Sequence, residues 1–292
     1  MLTACLILAM IVMYTAQSLF CKLYSARYPG ERSISSTVFS VVVGMIIALS
    51  GFVACGFHFS PAPLTWLYGI LNAAVIIGYN FCMVGASTKG PYSVQMVCML
   101  SGGILLPAFI SLFFGDRLSW VQWVAVAVIL VANGMVNYKK DDQKVQGRSF
   151  YLLCIGLFVF NGCYGALLDV QQRITGAEDR EEMIILTYLL SALASAVFLA
   201  CKRRKQFLKD FRQTKQSLTF LLICALASTL AIHLLVYIIP LINITVLYTF
   251  DNAGVLLLSV ACSCMFFREK LSGVNAAGCV MMAAGLVAMS LF

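Results

Sequence analysis

A chain of 292 residues that is 61% hydrophobic and only 11% charged lies outside the range of soluble domains, in which about a quarter of residues are charged. A mean hydropathy of +0.93 leaves too little polar surface to skin a water-soluble particle of this size, so a soluble globular fold is excluded. The net charge of +8 is not a nucleic-acid signature, because the basic residues are segregated by loop.

A membrane-spanning helix needs about 20 mostly apolar residues, and the sequence predicts ten such segments. The first five run over 2–21, 34–57, 63–86, 91–114 and 119–138. The first of these lacks a basic leader and a small-residue cleavage site, and its polar stretch Tyr14 to Ser18 suits a bundle helix, so it is predicted to be a mature span. The second five run over 149–170, 183–201, 218–239, 243–267 and 271–291. Turns such as "FHFSPAP", "STKGP" and "IPLIN" are short, which forces antiparallel neighbours in a compact bundle. The apolar runs are continuous, not alternating, which argues against a β-barrel. The predicted fold is all-α and integral to the membrane. Twelve cysteines are scattered through the spans without zinc-type spacing or accompanying histidines, so they read as small buried apolar residues and no metal or cofactor is predicted.

Every Lys and Arg except Arg117, Arg173 and Arg180 falls in the loops after the first, third, fifth, seventh and ninth segments. Basic residues mark cytoplasmic loops. Both termini are therefore predicted outside, in the cell (plasma) membrane, with the acidic run Glu178 to Glu182 on the outer side. The basic run Cys201 to Lys215 is suited to anionic lipid headgroups or to anchoring its loop.

A motif occurs twice. "SLFFGDRLSWVQWVA" at Ser111 to Ala125 matches "CMFFREKLSGVNAAG" at Cys264 to Gly278, offset by 153 positions. Phe113-Phe114 falls on Phe266-Phe267, Asp116-Arg117 on Glu269-Lys270, and Leu118-Ser119 on Leu271-Ser272. The acid in each copy is expected to favour the N-terminus of the helix that follows. The offset holds without a gap from about Leu64 to Tyr138, so the third to fifth segments match the eighth to tenth; in the first two segments of each half the register is not fixed. A five-helix unit followed by its copy must re-enter the membrane from the opposite face. The expected architecture is two inverted repeats, 1–138 and 149–292, joined by the charged linker 139–148. Inverted repeats are a transporter arrangement, with the solute site near the midplane between halves.

Ten spans in two halves, each with an acid-base-Leu-Ser hinge before its last helix, resemble the EamA-like branch of the drug/metabolite transporter superfamily. The resemblance covers nearly the whole chain. Members of that family carry a proline about thirteen residues before the hinge acid; here Gly103 and Leu256 stand at those places. The resemblance implies export or exchange of small polar or amphipathic metabolites.

Ionisable side chains inside a span are costly and usually face a cavity. Asp251 and His233 are the two such groups, placed at similar depth on either side of the turn near Ile242. Either could take up a proton, so both are candidates for proton coupling. Tyr14, Gln17, Tyr79, Asn80, Gln95, Asn161, Tyr164, Tyr237, Tyr248 and Asn252 complete the set of candidate cavity residues. Asp169 and Lys22 end their spans and are expected to snorkel. Gly102 and Gly103 read as a close-packing site, with a local helix break as the alternative.

No G-x-S-x-G elbow, H-E-x-x-H motif or second deep aspartate is present, so an enzyme is not expected. The expected function is a secondary transporter for a small organic metabolite, an amino-acid-like solute, working by export or exchange. The alternatives are an exporter of cationic drug-like compounds and a non-coupled facilitator or channel. The partners expected are the solute, the lipid bilayer and protons as coupling ion, with no nucleic acid, in a monomer or homodimer.

Overall fold

The computed structural model describes residues 2–87, 89, 92–116, 118–138, 147–203, 206–267 and 272–291; the side chain of Gln95, most of the linker 139–148 and the hinge residues Arg117, Glu269 and Lys270 lie outside the described residues. Among the described residues there is no strand. Ten long helices follow one another: α1 (Leu2–Arg27), α2 (Arg32–Ala54), α3 (Pro63–Ser87), α4 (Tyr92–Phe113), α5 (Trp120–Val136), α6 (Arg148–Thr175), α7 (Arg180–Lys202), α8 (Lys215–Ile238), α9 (Ile244–Phe267) and α10 (Gly273–Leu291). Seven contain a stretch long and apolar enough to cross a membrane, and α4, α5 and α10 have shorter apolar stretches, Val97–Phe113, Trp120–Val136 and Gly273–Met289. Large apolar side chains stand exposed, among them Phe81, Phe113 (89%), Trp120 and Val280, while Asn72, Thr187, Ser191 and Asn133 are buried. That inside-out pattern suits a solvent of lipid. The chain is a membrane-embedded, multi-pass helical protein.

The helices form two compact units, and each draws on both halves of the sequence. One holds residues 1–80 and 167–240, the other 81–166 and 241–292, so α3 and α6 contribute to both.

In the first unit α1 runs antiparallel along α8. The rings of Phe20 and Phe220 lie 6.0 Å apart, and the Cys224 thiol donates to the Gln17 carbonyl at 3.2 Å. The pair α2 and α7 is also antiparallel: Gly44 meets the Tyr188 carbonyl and Ala192, and Gly51 meets Ile185. The loop after α7 is folded down by Arg203, which pairs with Glu31 at 2.6 Å and Asp210 at 3.2 Å. The Tyr28 hydroxyl donates to the Asp210 carbonyl at 2.6 Å. Burial and the nearby Asp210 carboxylate push the Tyr28 phenol above its ordinary pKa of 10.0.

In the second unit Leu100 and Ile104 of α4, Ile129 of α5, Leu256 of α9 and Met282 of α10 share one core. The pair α5 and α10 is antiparallel, since Gly278 meets Met135 and Val136 while Gly285 meets Ile129. The pair α4 and α9 is antiparallel too: the Ser111 and Thr245 hydroxyls are 3.1 Å apart, and Gly103 faces Asn252. A β-carbon on Gly102 would lie 2.0 Å from the Phe158 carbonyl oxygen, so α4 continues unbroken through the two glycines and α6 packs on its bare backbone.

The doubled motif supplies helix caps through its serines; Glu269, the acid of the second copy, lies outside the described residues. Ser119 accepts from the Gln122 N–H at 3.2 Å and its own N–H donates to Gln122 Oε1 at 2.9 Å. Ser272 and Asn275, 153 positions on, repeat the exchange at 3.2 and 3.1 Å. Serine takes the cap because it sits at the residue where the chain turns helical. Asn275 Nδ2 also reaches the carbonyls of Met135, Val136 and Tyr138 at 3.1, 2.8 and 2.8 Å, binding the start of α10 to the end of α5.

The end of α6 also departs from expectation. The helix runs on to Thr175, and Asp169 is buried against Arg173 at 2.8 Å instead of snorkelling. An arginine one turn along pairs with the carboxylate and neutralises it.

Candidate functional site

The candidate polar residues divide evenly between the units. Tyr14, Gln17, Tyr79, Asn80, His233 and Tyr237 belong to the first; Gln95, Asn161, Tyr164, Tyr248, Asp251 and Asn252 belong to the second.

In the first unit the histidine is held from two sides. His233 Nε2 lies 2.8 Å from Ser50 Oγ, and Nδ1 lies 2.9 Å from Glu181 Oε2. Ser50 donates its own hydroxyl proton to the Ile47 carbonyl at 2.7 Å, so its oxygen is left to accept from the ring. A proton on the imidazole turns the Glu181 contact into an ion pair. Asn80 Nδ2 donates to Ser40 Oγ at 2.7 Å, joining α3 to α2. The side-chain oxygen of Gln17 is buried with no hydrogen-bond partner among the described residues. Tyr14 and Tyr79 are half-buried. Tyr237 is exposed, with the Arg180 guanidinium 5.1 Å from its ring centre.

In the second unit three helices converge on Gly103. Asn161 Nδ2 of α6 and Asn252 Oδ1 of α9 would lie 2.6 and 2.7 Å from a β-carbon there. Asn161 donates through Nδ2 to the Met99 carbonyl at 2.8 Å, and Asn252 donates to the Tyr248 carbonyl at 2.8 Å. Tyr248 is buried, with its ring packed on Gly165. Tyr248, Asp251 and Asn252 share one face of α9 by their spacing of three and four. Asp251 is partly accessible, yet its Oδ1 is buried without a hydrogen-bond partner among the described residues. Tyr164, one turn from Asn161, is half-buried.

Several structured polar residues were not among the candidate cavity residues, although Asp179 and Glu181 belong to the acidic run already noted. Ser50 and Glu181 are common residues near the ends of α2 and α7, and only the fold brings them to His233. Asp179 caps α3 from a distant loop, with Oδ2 accepting from the Ala62 N–H at 2.8 Å and the Thr65 hydroxyl at 2.6 Å. Gln171 reaches Thr65 at 3.2 Å and Gln172 reaches the Val236 carbonyl at 3.2 Å. Both lie past the point where hydropathy ends the sixth span. Among the described residues no cluster of three His, Cys, Asp or Glu side chains could hold a metal ion.

No family model matches this sequence, and no curated protein does. A solved structure described as "Crystal structure of protein" aligns over 97% of this chain and 98% of its own, with a TM-score of 0.70 at 16% identity. At that identity the likeness is one of fold.

Proposed function

We propose that this protein is a secondary carrier, with ten spans in two inverted five-helix repeats, that moves a small organic metabolite by alternating access. The observation that carries the reading is the self-pairing of matched helices. α4 packs antiparallel on α9 and α5 antiparallel on α10, and these are partners under the 153-residue offset. A two-fold axis in the membrane plane sets each such helix against its own counterpart, running the other way. The registers agree with that axis. Gly285 meets Ile129, and the mirrored positions Met282 and Ala132 share the same core. Two halves of similar sequence and opposite direction have two exchangeable arrangements, which is the simplest route to alternating access. The resemblance to the drug/metabolite transporters agrees with this reading.

The cargo proposed is an amino-acid-like solute, exported or exchanged across the cell membrane with both termini outside. Asp251 and His233 are the proposed proton-coupling groups. What supports His233 is its place between Ser50 Oγ at 2.8 Å and Glu181 Oε2 at 2.9 Å. The test is counterflow in proteoliposomes preloaded with a mixture of unlabelled amino acids. A carrier accumulates external labelled solute transiently above equilibrium; a channel or a non-coupled pore gives monotonic equilibration and would end the carrier reading.

A further inference from the structure

The end of α1, the end of α7, the start of α8 and the loop between the last two carry Arg27, Lys202, Lys209, Arg212 and Lys215, all exposed and all in the first unit. Printed contacts tie these parts together. Arg27 Nη1 donates to Gln216 Oε1 at 2.9 Å, which sets the end of α1 beside the start of α8. Arg203 Nη1 meets Glu31 Oε1 at 2.6 Å and its Nε meets Asp210 Oδ2 at 3.2 Å, which ties the loop to the start of α2. The Tyr28 hydroxyl on the Asp210 carbonyl and the rings of Phe207 and Phe211, 5.1 Å apart, hold the rest of the loop. These ties have an electrostatic consequence. Glu31 and Asp210 are the acids of the stretches 22–33 and 201–216, and Arg203 pairs with both. Among the described residues no carboxylate pairs with any of the five exposed bases. Membrane orientation requires only an excess of Lys and Arg in a loop. It does not require that the loop be folded down or its acids withdrawn.

The surface also borders the apolar belt. The apolar stretch of α7 closes at Lys202 and that of α8 opens at Lys215. Lys202 Nζ stands 5.4 Å from the ring centre of Phe198, which is itself exposed, and the Arg27 guanidinium stands 5.6 Å from that of Phe220. Leu218 and Leu222 continue the exposed apolar surface along α8. Basic side chains that rest on apolar stems at this level meet the phosphates of the nearer leaflet. We propose that this surface binds anionic phospholipid, with Arg27, Lys202, Lys209, Arg212 and Lys215 as the phosphate partners and Arg203 as the residue that keeps Glu31 and Asp210 from opposing them. A soluble polyanion would answer the charge and leave the neighbouring Phe198, Leu218 and Leu222 uncovered; a lipid brings a phosphate and acyl chains together. The binding does not depend on the carrier reading and occurs with or without transport.

The test titrates the purified full chain, in neutral detergent, with phosphatidylglycerol or phosphatidylcholine of the same acyl chains and counts bound lipid by native mass spectrometry. Phosphatidylglycerol is expected to bind about tenfold more tightly, the effect of one or two basic groups acting on each phosphate. Glycerophosphoglycerol, the same headgroup without acyl chains, is expected not to displace it. Lys209→Gln, Arg212→Gln and Lys215→Gln combined should cut the preference at least about threefold. Lys139→Gln, Lys140→Gln and Lys144→Gln combined remove the same charge from the linker and should leave the preference unchanged. Should the loop variant not be recoverable as folded protein, Arg212→Gln alone serves, with a smaller fall expected. Arg203→Gln should also lower the preference, and adding Glu31→Gln should restore part of it, which a merely structural arginine would not allow. No preference in the unaltered chain, an undiminished preference in the loop variant tested, an equal fall in the linker variant, or displacement by the soluble headgroup would each overturn the assignment. A double variant that restores nothing would strike Arg203 from it.

Discussion

At Gly102 the missing β-carbon would lie 2.0 Å from a main-chain oxygen, and backbone cannot step aside as a side chain can. Gly102→Ala is expected to separate α4 from α6 and to cost about 1–3 kcal/mol, read as a lower unfolding midpoint of the purified protein. Gly134, in the last turn of α5, has nothing within 4 Å of the same position. Gly134→Ala should raise stability by about 0.5–1 kcal/mol, since it only removes backbone freedom from the unfolded chain. The sequence distinguishes these two glycines poorly. A glycine doublet in an apolar run reads as a packing site, but which helix enters the gap depends on the fold. His233 makes the same point: its type and the cost of burying it mark it out, whereas Ser50 and Glu181 lie 183 and 52 positions away, and neither the serine nor the acidic run that holds Glu181 points to the histidine.

Helix ends were more legible than helix partners. The Leu-Ser repeat marks where α5 and α10 begin, because a side-chain oxygen at the turn into a helix satisfies main-chain donors that nothing else can reach. Ser119→Ala and Ser272→Ala should each cost about 1 kcal/mol of stability. Because α5 and α10 are antiparallel, the two serines sit at opposite ends of the pair, and the double variant should lose the sum to within about 0.5 kcal/mol. The loop after α7 responds to pH. The Tyr28 phenol titrates higher folded than unfolded, so in alkali the unfolded chain releases a proton more readily and stability falls as pH rises past 10.0. Tyr28→Phe should flatten that part of the unfolding profile above the ordinary phenol pKa and leave the profile near neutrality unchanged in slope.

For the molecule as a whole, composition alone separated lipid from water, and hydropathy located all ten helices to within a few residues at most ends. The largest departures are the ends of α1, which runs on to Arg27, and of α6, which runs on to Thr175 where Asp169, Gln171, Gln172 and Arg173 are polar in sequence yet buried or paired in the fold. The distribution of Lys and Arg leads to a prediction about orientation. A protease site added after Phe292 should be cut on intact cells, and one placed in the 139–146 segment should be cut only after lysis; the opposite pattern reverses the proposed topology. What no local pattern announces is the division of the fold. The sequence halves break between 138 and 149, but the compact units break within α3 and α6, so that each unit combines residues from before and after the linker.

That interleaving makes the two sequence halves dependent on each other. Fragments ending at 138 and beginning at 147 would each carry half of either unit and the whole of neither, so each fragment's survival is conditional on finding its mate. Produced separately they should be cleared by proteolysis; produced together they should co-purify, because the packing inside each unit is untouched by the missing peptide link.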